Sequence, residues 1–273
     1  VIPVGFDYAR PETVDAALAL LAEHGEDATV LAGGHSLLPV MKLRLATPEL
    51  VIDIGRLTEL SYVRVDGDVL AVGAGTRHRT VESSPVVLAE CPLLAAVTRT
   101  VGDPQIRHRG TLGGSLAHAD PASDLPAAVL ALGGEVVLRS PRGERTVPIT
   151  AFYSGMFSTV KEPDELLVEV RVPRTGTAGW AYEKFTRRAN DWAIVGVAAV
   201  DGRVGLVNMG PTPLRASATE AALAEGASIA DAAALADQGT DPTADVTATA
   251  EYRRHLARVL TKRALTTAAA AGT

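Results

Sequence analysis

Two glycine-rich stretches hold the residue types that could grip a polyanion. The first is Ala32-Gly33-Gly34-His35-Ser36-Leu37-Leu38-Pro39, which follows the apolar run Ala28-Thr29-Val30-Leu31. Adjacent glycines carry no Cβ, so a ligand can approach the main chain closely there. Successive N–H groups in such a turn can converge on an anion, and Ser36 adds a hydroxyl donor. The second is Gly110-Thr111-Leu112-Gly113-Gly114-Ser115, read as a loop of the same character. One Gly-Gly pair is most often only a turn. Two such stretches, each with a serine close behind its glycines, point to two loops holding one polyanionic cofactor.

Other chemistries lack their residues. Gly73-Ala74-Gly75 begins a dinucleotide-type glycine pattern but continues Thr76-Arg77-His78-Arg79, and no P-loop pattern is present. His35, His78, His108 and His118 lack the paired spacing of a zinc site, so no metal site is expected. No G-x-S-x-G elbow marks a serine hydrolase. Cys91 is the single cysteine, which excludes internal disulfides and a cysteine-held iron–sulfur cluster within this chain.

Those loops need elements to position them. The chain has 273 residues, 47% of them hydrophobic, and a formal net charge of −6. This is enough for a sizeable core and argues against nucleic-acid binding. No apolar run approaches the roughly 18–20 residues of a membrane span, and Val1–Asp7 has no signal-like block, so a cytoplasmic protein is expected. Helical spacing of Val14, Leu18 and Leu21 before Gly25 predicts a helix, followed by strands at 28–31 and 50–54. Met41–Leu45 reads as a helical turn or an extended link. Tyr62–Val65 and Val69–Val72 flank Asp66-Gly67 as a hairpin. Two short helices are expected within 74–101 and one over about 124–132, then a hairpin at 135–148 and a strand at 165–172. Arg174–Gly179 is a glycine-containing boundary. Strands at 180–187, 193–200 and 203–209 follow, then alanine-rich helices at about 215–225, 228–237 and 248–268, with a flexible loop at 239–245.

The two loops resemble those of a known family. Ala32–Pro39 with Met41-Lys42-Leu43-Arg44 is similar to the first flavin loop of the FAD-binding medium subunits of molybdenum hydroxylases (the xanthine dehydrogenase and carbon monoxide dehydrogenase family). Ile106-Arg107-His108-Arg109-Gly110-Thr111-Leu112-Gly113-Gly114-Ser115 is similar to the second. His118–Pro126 and Tyr182–Arg188 with Asp191-Trp192-Ala193 are also family-like, so the likeness spans nearly the whole chain. The loop residues are most similar to carbon monoxide dehydrogenase-type subunits; nicotinate, nicotine and purine hydroxylases share versions of them. The resemblance implies an α+β fold: a vanillyl-alcohol-oxidase-type FAD-binding domain over 1–174, with α/β subdomains 1–55 and 56–174. A C-terminal domain over 179–273 would hold a three-stranded antiparallel sheet and a helical bundle.

It also implies roles. Backbone N–H groups of Gly33, Gly34, His35 and Ser36, with Gly113 and Gly114, would hold the FAD pyrophosphate between flanking Ala32 and Leu37. Thr111 and Ser115 would add hydroxyls, although a serine there can also simply cap a turn. Asp124 would contact a ribityl or ribose hydroxyl, or else cap a helix. Lys184 would sit at the pyrimidine edge of the flavin, or be a solvated strand lysine. Trp192 would lie on the ring or in the core, and Leu167 and Val101 would touch cofactor or only core. No acid–base side chain on this chain is required beyond the flavin. In the family a small subunit carries [2Fe–2S] clusters and a large one the molybdenum cofactor. A heterotrimer or its dimer is therefore implied, passing electrons to NAD, a quinone or oxygen, with any membrane association through a partner. A stand-alone FAD oxidase and a flavin-free scaffold are the other classes.

Overall fold

The computed structural model describes residues 2–272. Its first unit is a parallel three-stranded sheet of β1 (Asp7–Ala9), β2 (Ala28–Leu31) and β3 (Leu50–Asp53), ordered β1-β3-β2. Helix α1 (Val14–His24) connects the first two strands, and its N-cap Thr13 accepts from the N–H of Ala16 at 3.1 Å. The α1 face Val14, Ala17, Leu18 and Leu21 packs against Leu50 and Ile52 of β3. Met41 and its neighbours resolve to helix: α2 covers Leu37–Lys42 and buries Met41.

The second unit is an antiparallel five-stranded sheet. Its strands are β4 (Val63–Asp66), β5 (Val69–Gly73), β6 (Glu135–Ser140), β7 (Gly143–Pro148) and β10 (Leu166–Pro173), ordered β4-β5-β10-β6-β7. Between β5 and β6 run α3 (His78–Ser83), α4 (Pro85–Glu90), α5 (Pro92–Arg99), α6 (Pro104–Arg109), α7 (Leu112–His118) and α8 (Asp124–Leu132). The two helices expected within 74–101 are therefore three, because Pro85 and Pro92 each open a new helix at its first turn. A second correction concerns Gly113-Gly114-Ser115. These residues lie in the first turn of α7, with Thr111 as its N-cap, and not in a loop. A small hairpin, β8 (Tyr153–Gly155) and β9 (Ser158–Thr159), precedes β10.

Beyond the 174–179 connection lies an antiparallel sheet of β11 (Trp180–Phe185), β12 (Val195–Val200), β13 (Arg203–Val207) and β14 (Leu214–Arg215). The three expected strands are present, and the two-residue β14 adds a fourth that sequence pattern was too short to reveal. Helices α9 (Ser217–Ala224), α10 (Ile229–Ala233) and α11 (Ala250–Ala271) follow. Strand β12 is buried on both faces. Ala198 and Val200 join the core beneath α8, while Val195, Val197 and Ala199 face the core shared with α11. That explains its unbroken apolar run, where a half-exposed strand would alternate.

Helix α8 is the hub of the molecule: all nine of its residues are buried. It packs on the five-stranded sheet through Leu125, Ala128, Val129 and Leu132, and on the C-terminal sheet through Ala127 against Val207. Strand β13 comes so close that a Cβ on Gly205 would lie 2.0 Å from the Ala127 carbonyl oxygen. The C-terminal sheet is thereby fixed directly over the start of α8, where Asp124 stands.

Candidate functional site

The two glycine stretches meet. An added Cβ on Gly33 would fall 2.5 Å from the Arg109 carbonyl oxygen and 2.8 Å from the Gly110 Cα, so only glycine lets these backbones touch. Arg77 joins them from a third segment. Its guanidinium donates to the same Arg109 carbonyl and, at 3.1 Å, to the Gly55 carbonyl after β3. Burial pulls the Arg77 pKa down, and the neighbouring Arg109 charge adds to this.

Donors are divided unequally between the two stretches. Among the described residues the N–H groups of Gly33, Gly34, His35 and Ser36 find no protein acceptor, although this turn is mostly half-buried. Half-buried amides call for a partner, so this turn has the free donors an anion requires. The second stretch has none to offer from its glycines. Gly113 N–H donates to the Ala74 carbonyl at 2.9 Å, and Gly114 N–H to the Thr111 hydroxyl at 3.1 Å. These two amides, expected at the pyrophosphate, are engaged here in seating α7. The Thr111 hydroxyl oxygen accepts as the N-cap and keeps its own O–H to donate, and Ser115 Oγ lies 3.0 Å from His78 Nε2.

Asp124 and Lys184 form a single unit. The Lys184 ammonium donates to the Asp124 carboxylate at 2.7 Å and to the Thr100 carbonyl at 3.0 Å. Both side chains are almost fully enclosed, at 9% and 5% exposure, so Lys184 is no solvated strand lysine. The Tyr182 hydroxyl donates to the other Asp124 oxygen. Asp124 is the first residue of α8 and Ser123 its N-cap, so Asp124 does not act as the cap. Burial raises the Asp124 pKa above the ordinary carboxylate range, opposed by the Lys184 charge and by hydrogen bonds from Lys184 and Tyr182. Burial also lifts Tyr182 well above the usual phenol range, so it stays a donor.

Lys184 borders a cavity of about 370 Å³ that also receives Arg99, Thr100, Gly102, Arg107 and Asn190. Arg107 pairs with the buried Glu82 at 3.0 Å and donates to the Val101 carbonyl at 3.0 Å. A smaller cavity of about 150 Å³ lies beside Ala32, Gly55, Arg77 and Thr111. Leu167 belongs to the main core, against which Val101 packs. Trp192 is 59% exposed, so its core alternative is overturned; it stands on the 186–194 connection between β11 and β12.

Four residues were given no role by the sequence reading: Arg77, His78, Arg107 and Tyr182. Arg77 and His78 stand in the broken glycine pattern Gly73–Arg79, whose failure as a dinucleotide motif concealed that its backbone seats α7. No group of three or more His, Cys, Asp or Glu suited to a metal occurs among the described residues. The donor set fits FAD: free amides for a diphosphate, glycines that only close backbone contact explains, and an enclosed lysine on a polar cavity.

Comparison with known proteins agrees. A model of the FAD-binding domain in molybdopterin dehydrogenase matches residues 4–175, and one of the CO dehydrogenase flavoprotein C-terminal domain matches 180–268. The chain is 43% identical to the carbon monoxide dehydrogenase medium chain of Hydrogenophaga pseudoflava, over 98% of both. It is 40% identical to the caffeine dehydrogenase subunit beta of a Pseudomonas species, over 98% of this chain and 96% of that one. Among solved structures, the carbon monoxide dehydrogenase of H. pseudoflava superposes with a TM-score of 0.96 at 44% identity, covering 99% of each chain. Quinoline 2-oxidoreductase from Pseudomonas putida 86 superposes at 0.92 with 31% identity, covering 100% of each. With both of its halves matched in order, the chain belongs to the family of FAD-binding medium subunits of molybdenum-containing dehydrogenases, the flavoprotein components of these oxidoreductases.

Proposed function

We propose that this chain accepts electrons from a [2Fe–2S] partner subunit and passes them to an external acceptor within a molybdenum hydroxylase of the carbon monoxide dehydrogenase type. The observation that carries this reading is the free row of amides at Gly33–Ser36, packed directly on the second glycine stretch. Bound there, FAD would supply the exchange between one- and two-electron steps.

The residues of this chain bind and tune; they do not perform acid–base chemistry. Gly33, Gly34, His35 and Ser36 donate to the diphosphate, flanked by Ala32 and Leu37. Ser115 adds a hydroxyl. Gly113 and Gly114 act one step back, by seating α7, while Thr111 both caps α7 through its oxygen and keeps its O–H to donate. Lys184 places positive charge at the cofactor's polar edge, and Asp124, itself held by Tyr182, offsets that charge and fixes its position. Charge so placed shifts the cofactor's potential. Val101, Leu167 and Trp192 supply apolar surroundings, Trp192 from an exposed position.

Substrate oxidation belongs to a large molybdenum-bearing subunit, and the external acceptor is a quinone, NAD or oxygen. We divide the chain into an FAD-binding domain over 1–174 and a C-terminal domain over 179–273, acting in the cytoplasm. Among the described residues no helix is long and apolar enough to cross a membrane.

The visible spectrum of the purified chain tests this reading, taken alone and with its partners. A flavin spectrum that a reducing substrate bleaches only when the partners are present is expected. Bleaching of the isolated chain by substrate would support a stand-alone oxidase, and a colourless chain indifferent to FAD a scaffold.

A further inference from the structure

We infer that His78 is a positioning residue: it holds the Ser115 oxygen as an acceptor and so turns the Ser115 O–H outward, as a donor to the bound diphosphate. The inference rests on the FAD reading above and extends it to a side chain that no ligand needs to touch.

His78 opens α3 and is only 2% exposed. Its Nε2 lies 2.9 Å from the Thr111 carbonyl oxygen and 3.0 Å from Ser115 Oγ. A carbonyl oxygen only accepts, so at that distance Nε2 must carry the proton. The opposite tautomer would set two lone pairs against each other and also bury an Nδ1–H without an acceptor. Nδ1 indeed has no partner among the described residues, a cost far lower for a lone pair than for both faults together. Burial also holds the ring neutral, with its pKa lowered to about 4.

With Nε2–H pointing at the gap between Thr111 and Ser115, the Ser115 oxygen accepts. Its own hydrogen cannot then point back at the imidazole. The Ser115 hydroxyl makes no other hydrogen bond among the described residues, and Ser115 is half-buried and reachable. Its hydrogen is therefore presented away from the imidazole. The Thr111 carbonyl sets the tautomer, the tautomer sets the rotor, and the rotor supplies the donor. The Gly113 and Gly114 amides are engaged elsewhere, which leaves the hydroxyls of the second stretch to donate, and Ser115 is the one whose oxygen faces His78.

Two measurements on the full chain test this. Nitrogen-15 NMR of the flavin-free wild type at neutral pH is expected to show His78 protonated at Nε2 and bare at Nδ1; the reverse tautomer would overturn the inference. FAD titration of His78→Leu, Ser115→Ala and the double variant then reads the coupling. Each single variant is expected to bind FAD about tenfold more weakly, which is the loss of one hydrogen bond to a charged group. The double variant should bind no more weakly than Ser115→Ala. His78→Gln, which can return an N–H to the Nε2 position, should restore most of the affinity. Fully additive losses would show that His78 and Ser115 act independently and would overturn the inference. A wild-type chain that binds no FAD would overturn the flavin reading, while the NMR result would still judge the tautomer.

Discussion

Removing Lys184 leaves the Asp124 carboxylate enclosed beside the Tyr182 hydroxyl with no cation. Breaking a buried pair from one side costs about 3–5 kcal/mol, so Lys184→Ala should lower the unfolding midpoint in denaturant. The same variant should lower the flavin midpoint potential, because positive charge near the polar edge favours the reduced cofactor. Asp124→Asn should do the reverse to the potential, by leaving Lys184 uncompensated. Spectroelectrochemistry of both variants checks this, and shifts of the same sign would refute it. His78 adds a pH term. Burial is the main cause of its lowered pKa, opposed first by the hydrogen bond to the Thr111 carbonyl and then by Glu82, and aided by Arg107 and His35. Between about 4 and the unfolded value of about 6.5, the unfolded chain binds a proton that the native chain does not. Stability contributed by neutral His78 is therefore complete above about 6.5 and falls with pH toward 4, by about 3 kcal/mol in all. Denaturation curves between these limits should show that slope in the wild type and lose it in His78→Gln.

Elements differ in how plainly their sequences announce them. Helix α8 was legible almost to the residue, because an apolar run sits between a polar start and Gly133-Gly134. Strands β12 and β13 were legible from their apolar runs across Asp201-Gly202. Helix α7 was not, since Gly113-Gly114 reads as a turn while the surrounding backbone makes it the first turn of a helix. The acceptors that decide this, Ala74 and Thr76, lie about 40 residues earlier and accept from Gly113 and Leu112. The Asp124–Lys184 pair was half legible: each residue was singled out for the cofactor, but their mutual contact depends on β11 crossing the start of α8. At this scale Thr111 is the sensitive position. Thr111→Ala removes the α7 cap at a cost of about 1 kcal/mol and frees the Gly114 amide. Thermal unfolding should register the loss, and hydrogen exchange should show Gly114 N–H deprotected relative to wild type.

The molecule as a whole is built so that charges supplied by one end of the chain are read at the other. Asp124 lies on the N-terminal side of the 174–179 connection and Lys184 beyond it, and their contact survives only while the C-terminal sheet stays seated on α8. That seat is apolar and tight: Ala127 meets Val207, and Gly205 passes under the Ala127 carbonyl. Burying a whole helix between two sheets couples their stability, because neither can leave without exposing α8 to water. Calorimetry of the chain should therefore show one cooperative transition, not two. Gly205→Val is the discriminating variant. Its side chain would have to displace the backbone of α8, and overpacking of this kind costs about 1–3 kcal/mol or more. It should lower that single transition and weaken FAD binding together, although residue 205 has no part in the diphosphate turn. A variant that lost thermal stability yet kept wild-type FAD affinity would show that the turn at Gly33–Ser36 holds the cofactor without the Lys184 edge, and would separate the two halves of the site.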